Sequence, residues 1–170
     1  MRSLLLISQI ENNQTPKADE VDIPELLKEV KSEVDVRLVE KNITLELELH
    51  DDFTFAPGNR SLLFTLFFNL VNNAVKYNKQ NGWIIVTTEK TKDKYLVHIR
   101  DTGKGIAPDN LKSIFTRFKK FNNSESESYG LGLAMVKTIA DFHDMEIKVE
   151  SKENEGSTFT VVFKLHEMQP

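Results

Sequence analysis

Residues 62–77 read LLFTLFFNLVNNAVKY, an apolar segment long enough for about four helical turns and interrupted by polar groups on one side only. At about 100° per residue, Asn69, Asn73 and Lys76 fall within a sector of about 60°, while Leu63, Phe67, Leu70, Val71 and Ala74 cover the opposite side. Such a helix must be covered by a second layer on its apolar side and must face something polar along its stripe. Asparagine is a poorer helix former than alanine by about half a kcal/mol, so Asn69, Asn72 and Asn73 in one buried helix are not explained by helix stability. Two amide carbonyls and a lysine suit a hard cation and the phosphates it carries. Alternatively, the asparagines satisfy neighbouring backbone groups.

The rest of the chain supplies the second layer. Residues 43–49 alternate strictly between polar and apolar, as a half-buried strand does, and 53–56 continue as a short strand before Pro57 and Gly58 turn the chain. Residues 83–89 and 95–100 are rich in β-branched and aromatic side chains, and the polar connection 90–94 makes them an antiparallel hairpin. Two more strands, 146–151 and 157–165, flank a turn at Asn154, Glu155 and Gly156. Asp22 and Glu25 stand at capping-box spacing, with Pro24 in the first turn and Val21 placed to staple onto Leu26, which predicts a helix over 23–41. Helical spacing recurs over 131–143, and a short helix is expected near 111–115. Leu4, Leu5, Ile7 and Ile10 read as the last turns of a helix stopped by residues 12–16. Three helices segregated from about six strands predict an α+β chain, a two-layer sandwich of helices on a mixed, largely antiparallel sheet.

A length of 170 residues, 39% of them hydrophobic, suits one such domain. The expected division is a helix end at 1–13, a linker at 14–20, the domain at 21–166 and a tail at 167–170. Without cysteine there is neither a disulfide framework nor a thiolate metal site. A net charge of -4 with interspersed signs speaks against nucleic acid as a partner. No apolar run approaches the roughly 18 to 20 residues of a membrane span.

Two glycine-bearing loops bear on the asparagine stripe. Asp101-Thr102-Gly103-Lys104-Gly105-Ile106 places an acid at a strand end beside two residues that let backbone approach a ligand closely. A carboxylate there can accept the exocyclic N–H of adenine. Tyr129-Gly130-Leu131-Gly132-Leu133-Ala134 opens a helix, where unpaired N–H groups and the macrodipole favour an anion such as a triphosphate. One loop contributes the base, one the phosphates, and the stripe the metal. The polar, aperiodic residues 119–129 between them are expected to form a mobile loop. No Gly-x-x-x-x-Gly-Lys-Ser/Thr string occurs, nor a Gly-x-Gly-x-x-Gly after a parallel strand.

With these residues in this order, the chain resembles the catalytic ATP-binding domain of bacterial sensor histidine kinases. The same superfamily, built on the Bergerat fold, holds type II topoisomerase, chaperone and mismatch-repair ATPases. The match covers about 21–165. The asparagine helix is similar to the family's N box, 101–106 to its first glycine box, 114–118 to its F box and 130–135 to its second glycine box. Gly156-Ser157-Thr158-Phe159 is similar to the closing strand motif.

The resemblance implies ATP and Mg²⁺ as cofactors and assigns roles residue by residue. Asn73 would give its side-chain oxygen to Mg²⁺, Asn69 would support the same cluster, and Lys76 would meet phosphate, these three forming the catalytic set. Tyr77 would lie against adenine. Asp101 would bind the adenine amino group, with Gly103, Gly105 and Ile106 shaping that pocket. Gly130, Leu131, Gly132 and Leu133, with Tyr129 before them, would serve the triphosphate. Thr158 would assist near adenine. Arg117 would reach a phosphate or contact the helical partner domain.

On the same ground, Mg-ATP is presented for γ-phosphoryl transfer to a histidine on a dimerisation domain absent from this chain, in two-component signal transduction. The expected partners are that domain and a response-regulator receiver domain. The full-length protein is expected to be a homodimer and a membrane-anchored sensor with this domain in the cytoplasm. His50, His98, His143 and His166 all lack the helical His-Glu or His-Asp context of a phosphoacceptor, so each is expected to be structural or exposed. Residues 8–11 look like the last turn of the dimerisation domain's second helix. Ser128 replaces the usual first glycine of the second glycine box, and Glu125 and Glu127 would repel a triphosphate. These departures leave open a nucleotide-binding scaffold without catalysis. An ATP-hydrolysing clamp commonly needs a glutamate one turn before the metal asparagine, where this chain has Asn69, which cannot take a proton.

Overall fold

The computed structural model describes residues 2–118 and 131–165. The chain runs α1 (Arg2–Glu11), β1 (Asp19–Asp22), α2 (Ile23–Lys41), β2 (Thr44–Glu48), β3 (Thr54–Gly58) and α3 (Arg60–Lys76). It continues through β4 (Trp83–Lys90), β5 (Lys94–Asp101), α4 (Pro108–Leu111), α5 (Gly132–Phe142), β6 (Glu146–Lys152) and β7 (Gly156–Lys164). Five strands form one sheet in the order β2-β4-β5-β7-β6, and β1 and β3 form a separate antiparallel pair. Only the β2–β4 pairing is parallel within the large sheet; β4–β5, β5–β7 and β6–β7 are antiparallel. The architecture is the α+β sandwich that the sequence predicts.

The alternating side chains of the central strands explain the layering. Tyr95, Val97, Ile99 and Asp101 of β5 are level with Phe163, Val161, Phe159 and Ser157 of β7, and all eight are buried. Leu26, Leu27, Val30 and Val34 of α2, the apolar side of α3, and Val136, Ile139 and Ala140 of α5 join them in one core. Phe53 stacks on Tyr95 with ring centroids 4.2 Å apart, and Phe55 meets Phe163 edge-on at 5.1 Å.

Local signals place the helices. Asp22 caps α2 by accepting the Glu25 N–H at 2.9 Å, as its spacing predicts, and Val21 and Leu26 are both buried. Asn59 caps α3 by accepting from the Leu62 N–H at 3.0 Å. At the other end of α3, the Lys41 ammonium donates to the carbonyls of Lys76 and Val75 at 2.6 and 3.2 Å, a cation on the negative end of the helix.

Several boundaries differ from the sequence reading. Asp19–Asp22 is a strand, so the expected linker at 14–20 ends in β1. Pro57 and Gly58 lie within β3, opposite β1, because the separate two-stranded pair gives them an edge where no ladder N–H is required of proline. The short helix is Pro108–Leu111, earlier than 111–115, because Pro108 starts it and turns follow.

His143 shows how α3 is held. It caps the end of α5, where its Nδ1–H donates to the Ile139 carbonyl at 2.9 Å and its Nε2 accepts the Asn59 N–H at 3.0 Å. The ring packs edge-on to Phe55 and Phe142. The start of α3 is thus fastened to the end of α5 through a neutral imidazole. Burial holds this group below its ordinary 6.5, with nearby Lys17 adding to the depression and the Ile139 carbonyl and Asp144 opposing it. A group depressed in the folded state contributes stability that is complete above the unfolded value and is lost as pH falls from there through the folded value. Urea unfolding at pH 8 and pH 5 should therefore show a lower midpoint at pH 5, and the drop should be smaller in His143→Gln, which retains an acceptor but does not titrate. An equal drop in both proteins would assign the effect elsewhere.

Candidate functional site

The polar stripe of α3 faces away from the core, with Asn69, Asn73 and Lys76 half-buried. Asn69 donates its Nδ2–H to the Thr65 carbonyl one turn back at 2.7 Å, so part of its hydrogen bonding is local. Its Oδ1 points to α5: a Cβ added to Gly132 would lie 3.1 Å from it. Gly132 is the first residue of α5, a helix whose cap residue, Leu131, makes no side-chain cap bond. The first N–H groups of α5 have no intrahelical acceptor and carry the positive end of the helix dipole. The amide oxygen of one helix and the N-terminus of another therefore share one place. Asn72 belongs to a different surface, where it accepts from Arg37 of α2.

The C-terminal end of α3 meets the first glycine loop. Asp101 closes β5, is 9% exposed, and its Oδ1 accepts the Gly103 N–H at 2.7 Å. A Cβ on Gly103 would lie 2.5 Å from the Tyr77 carbonyl, so side-chain-free backbone is required where the loop crosses the end of α3. The Lys104 N–H donates to the same Tyr77 carbonyl at 3.1 Å. Ile106 packs against the core and its N–H donates to Ser151 Oγ at 2.8 Å. Gly105 has φ +67° and its missing Cβ would fall 2.0 Å from the Lys152 carbonyl. Tyr77 is 40% exposed, with the Lys76 and Lys104 ammonium groups 5.2 and 4.5 Å from its ring centroid.

One sequence-derived assignment needs correction. Thr158 pairs with Arg100, and both lie on the sheet face opposite Asp101. The sheet itself separates Thr158 from the Asp101 carboxylate. The residue level with Asp101 is Ser157, 8% exposed, whose Oγ is 2.8 Å from that of Ser151. Period-two alternation, counted back from buried Phe159, selects Ser157. The Arg117 guanidinium pairs with Glu11 of α1. Leu131 and Leu133 flank Gly132 at the α5 start, buried and half-buried. The expectations for Tyr129, Gly130, Ser128, His166 and the loop 119–129 lie outside the described residues.

The electrostatics are uneven. Burial raises the Asp101 carboxyl above its ordinary value, while backbone N–H groups of Gly103 and Ser157 pull it down. Burial lowers Lys76; for Lys104, burial acts first and the Lys76 charge adds to it. Among the described residues no group of three or more His, Asp or Glu side chains is placed to hold a metal. A hard cation would rest on amide oxygens such as those of Asn69 and Asn73 and on oxygens brought by a ligand, a donor set that suits Mg²⁺.

A family described as histidine kinase-, DNA gyrase B-, and HSP90-like ATPase matches residues 58–167. The chain belongs to this family. It is 34% identical over 164 residues to the heme sensor protein HssS of Staphylococcus saprophyticus, covering 96% of this chain and 35% of that protein. It spans about a third of the length of that protein and of the sensor histidine kinase RppB of Synechocystis. The catalytic domain of histidine kinase ThkA superposes with a TM-score of 0.73 at 26% identity, over 86% of this chain and 94% of that one. ThkA in complex with the response regulator protein TrrA superposes with a TM-score of 0.70 at 23% identity, over 95% and 47%. Sequence and fold agree on an ATP-binding catalytic domain of the histidine kinase kind. Among the described residues, no helix is long and apolar enough to cross a membrane.

Because ionising Asp101 works against its burial, folding is favoured when this group is protonated and disfavoured as pH rises through its raised folded value. Asp101→Asn should therefore raise the melting temperature at pH 7 while weakening nucleotide binding by about 1.5 to 3 kcal/mol, the scale of a charge-assisted hydrogen bond. Calorimetry showing unchanged nucleotide affinity would remove adenine from Asp101.

Proposed function

We propose that this chain binds Mg-ATP along α3 and presents the γ-phosphoryl group to a histidine on its own dimerisation domain, within a dimeric, membrane-anchored sensor that passes the phosphoryl group to a response-regulator receiver domain. The observation that carries the reading is the arrangement of two unlike ends on one helix. Asp101 and the glycine loop meet α3 at Tyr77, and the α5 N-terminus meets it at Asn69. Eight residues of helix separate these points by about 12 Å. That is the scale of an extended nucleotide, with a carboxylate at the base end and an anion-binding helix start at the phosphate end.

Each residue then has a defined task. Asp101 accepts the adenine amino group, and Tyr77 lies along the base. Gly103, Gly105 and Ile106 fix the loop, and Ser157 sits level with the carboxylate. The N–H groups at the start of α5 face the triphosphate, and Lys76 neutralises it. Asn73 and Asn69 would hold Mg²⁺ through their amide oxygens, and the ion would supply charge neutralisation at the transferring phosphoryl group. In phosphoryl transfer the protein mainly positions and neutralises, so this set needs no nucleophile of its own. Asn69 cannot accept a proton from water, which disfavours an ATP-hydrolysing clamp. Arg117, paired with Glu11, belongs to the contact between the catalytic domain and the helix that precedes it. The domain faces the cytoplasm.

Asn73→Ala should reduce the strengthening of ATP binding by Mg²⁺ while leaving metal-free binding about as before. Titrations with and without Mg²⁺ that show the same gain in wild type and variant would place the metal elsewhere.

The isolated chain should bind ATP without labelling itself, and should phosphorylate its dimerisation domain supplied in trans, slowly and in proportion to concentration, because linkage no longer supplies proximity. Among the described histidines, His143 is buried and structurally engaged, and His98 bonds Thr160 on the far face of the sheet at 2.9 Å. Incubation with γ-labelled ATP tests this. Acid-labile, base-stable label on this chain alone would mean that one of its own histidines is an acceptor.

A further inference from the structure

Lys41 ends α2, yet its ammonium group is used on another helix. The end of α2 closes itself: Asn42 takes the left-handed conformation, with φ 51° and ψ 45°, and its N–H donates to the Leu38 and Val39 carbonyls. The last turn of α3 has no such closure, since its cap residue, Tyr77, stands at φ -96° and ψ 7°. There the half-buried Lys41 side chain donates to the Lys76 and Val75 carbonyls at 2.6 and 3.2 Å. A cation in this place satisfies carbonyls that a helix leaves without intrahelical donors, and it opposes the negative end of the dipole.

The segment that follows α3 is fixed to the same junction. The Lys41 carbonyl accepts the Asn81 N–H at 3.2 Å, Asn42 Nδ2 donates to Asn81 Oδ1 at 2.7 Å, and the Gly82 carbonyl accepts the Thr44 N–H at 3.1 Å. From there the contacts run on to the first glycine loop. Thr102 Oγ1 donates to Asn78 Oδ1 at 3.1 Å, and the Tyr77 carbonyl accepts the Lys104 N–H at 3.1 Å. Lys41 therefore holds the turn that carries Asn73 and Lys76 and leads into Tyr77, and the Asp101 loop is laid against that same turn.

Helix ends fray, because their last carbonyls depend on partners from outside the helix. If this turn opens, nucleotide meets an assembled site in only a fraction of the molecules, and its apparent affinity falls by that fraction. We infer that Lys41 is a positioning residue of the nucleotide site: without touching the ligand, its ammonium group keeps the last turn of α3 wound, so that Lys76, Tyr77 and the Asp101 loop stay together. The inference rests on the ATP reading of the site and adds to it a residue on a different helix.

Calorimetric titration with ATP and residue-resolved amide exchange test it on wild type, Lys41→Met, Lys41→Arg and Asp22→Ala, at a temperature well below the lowest of their melting points. Lys41→Met keeps the aliphatic stem and removes the cation. It should bind ATP about threefold to tenfold more weakly, the range that a partly buried cation at a helix C-terminus supports, and the Lys104 N–H bonded to Tyr77 should exchange faster. Lys41→Arg retains a cation with N–H donors and should recover most of both. Asp22→Ala removes the cap at the opposite end of α2, so it should lower the melting temperature and bind ATP as wild type does. Should Lys41→Met not fold, Lys41→Gln, which donates to a carbonyl without charge, replaces it with the same expected direction. Wild-type affinity or unchanged Lys104 exchange in the loss variant, no recovery with arginine, or an equal loss in Asp22→Ala would each overturn the inference, the last by making the effect one of general stability. Wild type that binds no ATP would instead remove the ATP reading, and the inference with it.

Discussion

The site depends on a close meeting of backbones around Asp101 that leaves no volume for side chains. Gly156 has φ +113°, and a Cβ there would fall 2.0 Å from the Asp101 carbonyl. The Lys104 carbonyl accepts from Asn154, so the loop after β5 lies against the turn between β6 and β7. On its other side the same loop lies against the end of α3 through the Tyr77 carbonyl. A carboxylate buried in such a place needs donors that do not move, and the N–H groups of Gly103 and Ser157 provide them. The Asp101 end of the site is thus built from three pieces of backbone locked together. Among the described residues, the other end shows one such close approach at a glycine, Asn69 against Gly132 in the first turn of α5.

That difference explains what could be read without coordinates. Alternation in β4, β5 and β7, the Asp22 cap and the one-sided asparagine helix are local patterns, and each has its expected structure. Asp101 lies at the end of β5, as the sequence reading has it, and Gly103 and Gly105 stand where backbone comes too close for a side chain. Thr158 was misplaced because a motif names a segment, while the face of the sheet is fixed by register; one residue's shift moves a side chain to the other side. β1 was missed because four residues rich in acid have low strand propensity and are held only by their partner. The Lys104 and Lys76 approach was not legible either, since it depends on the loop being stitched to Tyr77 from a distance of 27 residues in the chain.

The asparagine stripe also shows where composition misleads. Three asparagines on one helix suggest one polar surface, yet Asn72 faces Arg37 of α2, and Arg37 itself lies over Phe68 at 5.7 Å. Asn69 serves twice, bonding the backbone of its own helix and presenting its oxygen to Gly132. The choice between a structural and a ligand-directed stripe is therefore made atom by atom. The amide nitrogen of Asn69 is held by the Thr65 carbonyl, while its oxygen faces the start of α5.

How α1 is held decides how firmly anything attached to it is coupled to the site. Two contacts compete for the explanation: the Arg117–Glu11 ion pair, and the packing of α1 on α5. Both side chains of the pair are about half exposed, so its contribution is of the order of 0 to 1 kcal/mol and is weakened by salt. Ile7 and Ile10 are 1% and 4% exposed, and burying side chains of this size contributes about 1.5 to 3 kcal/mol each, as an upper estimate. Burial wins, and the ion pair sets orientation more than strength. Since α5 also carries Gly132 at its start and reaches Asn59 through His143 at its end, the helix on which α1 rests touches α3 both at Asn69 and at its start. The apolar contact that holds α1 is therefore made with the helix that meets α3 at two separate points.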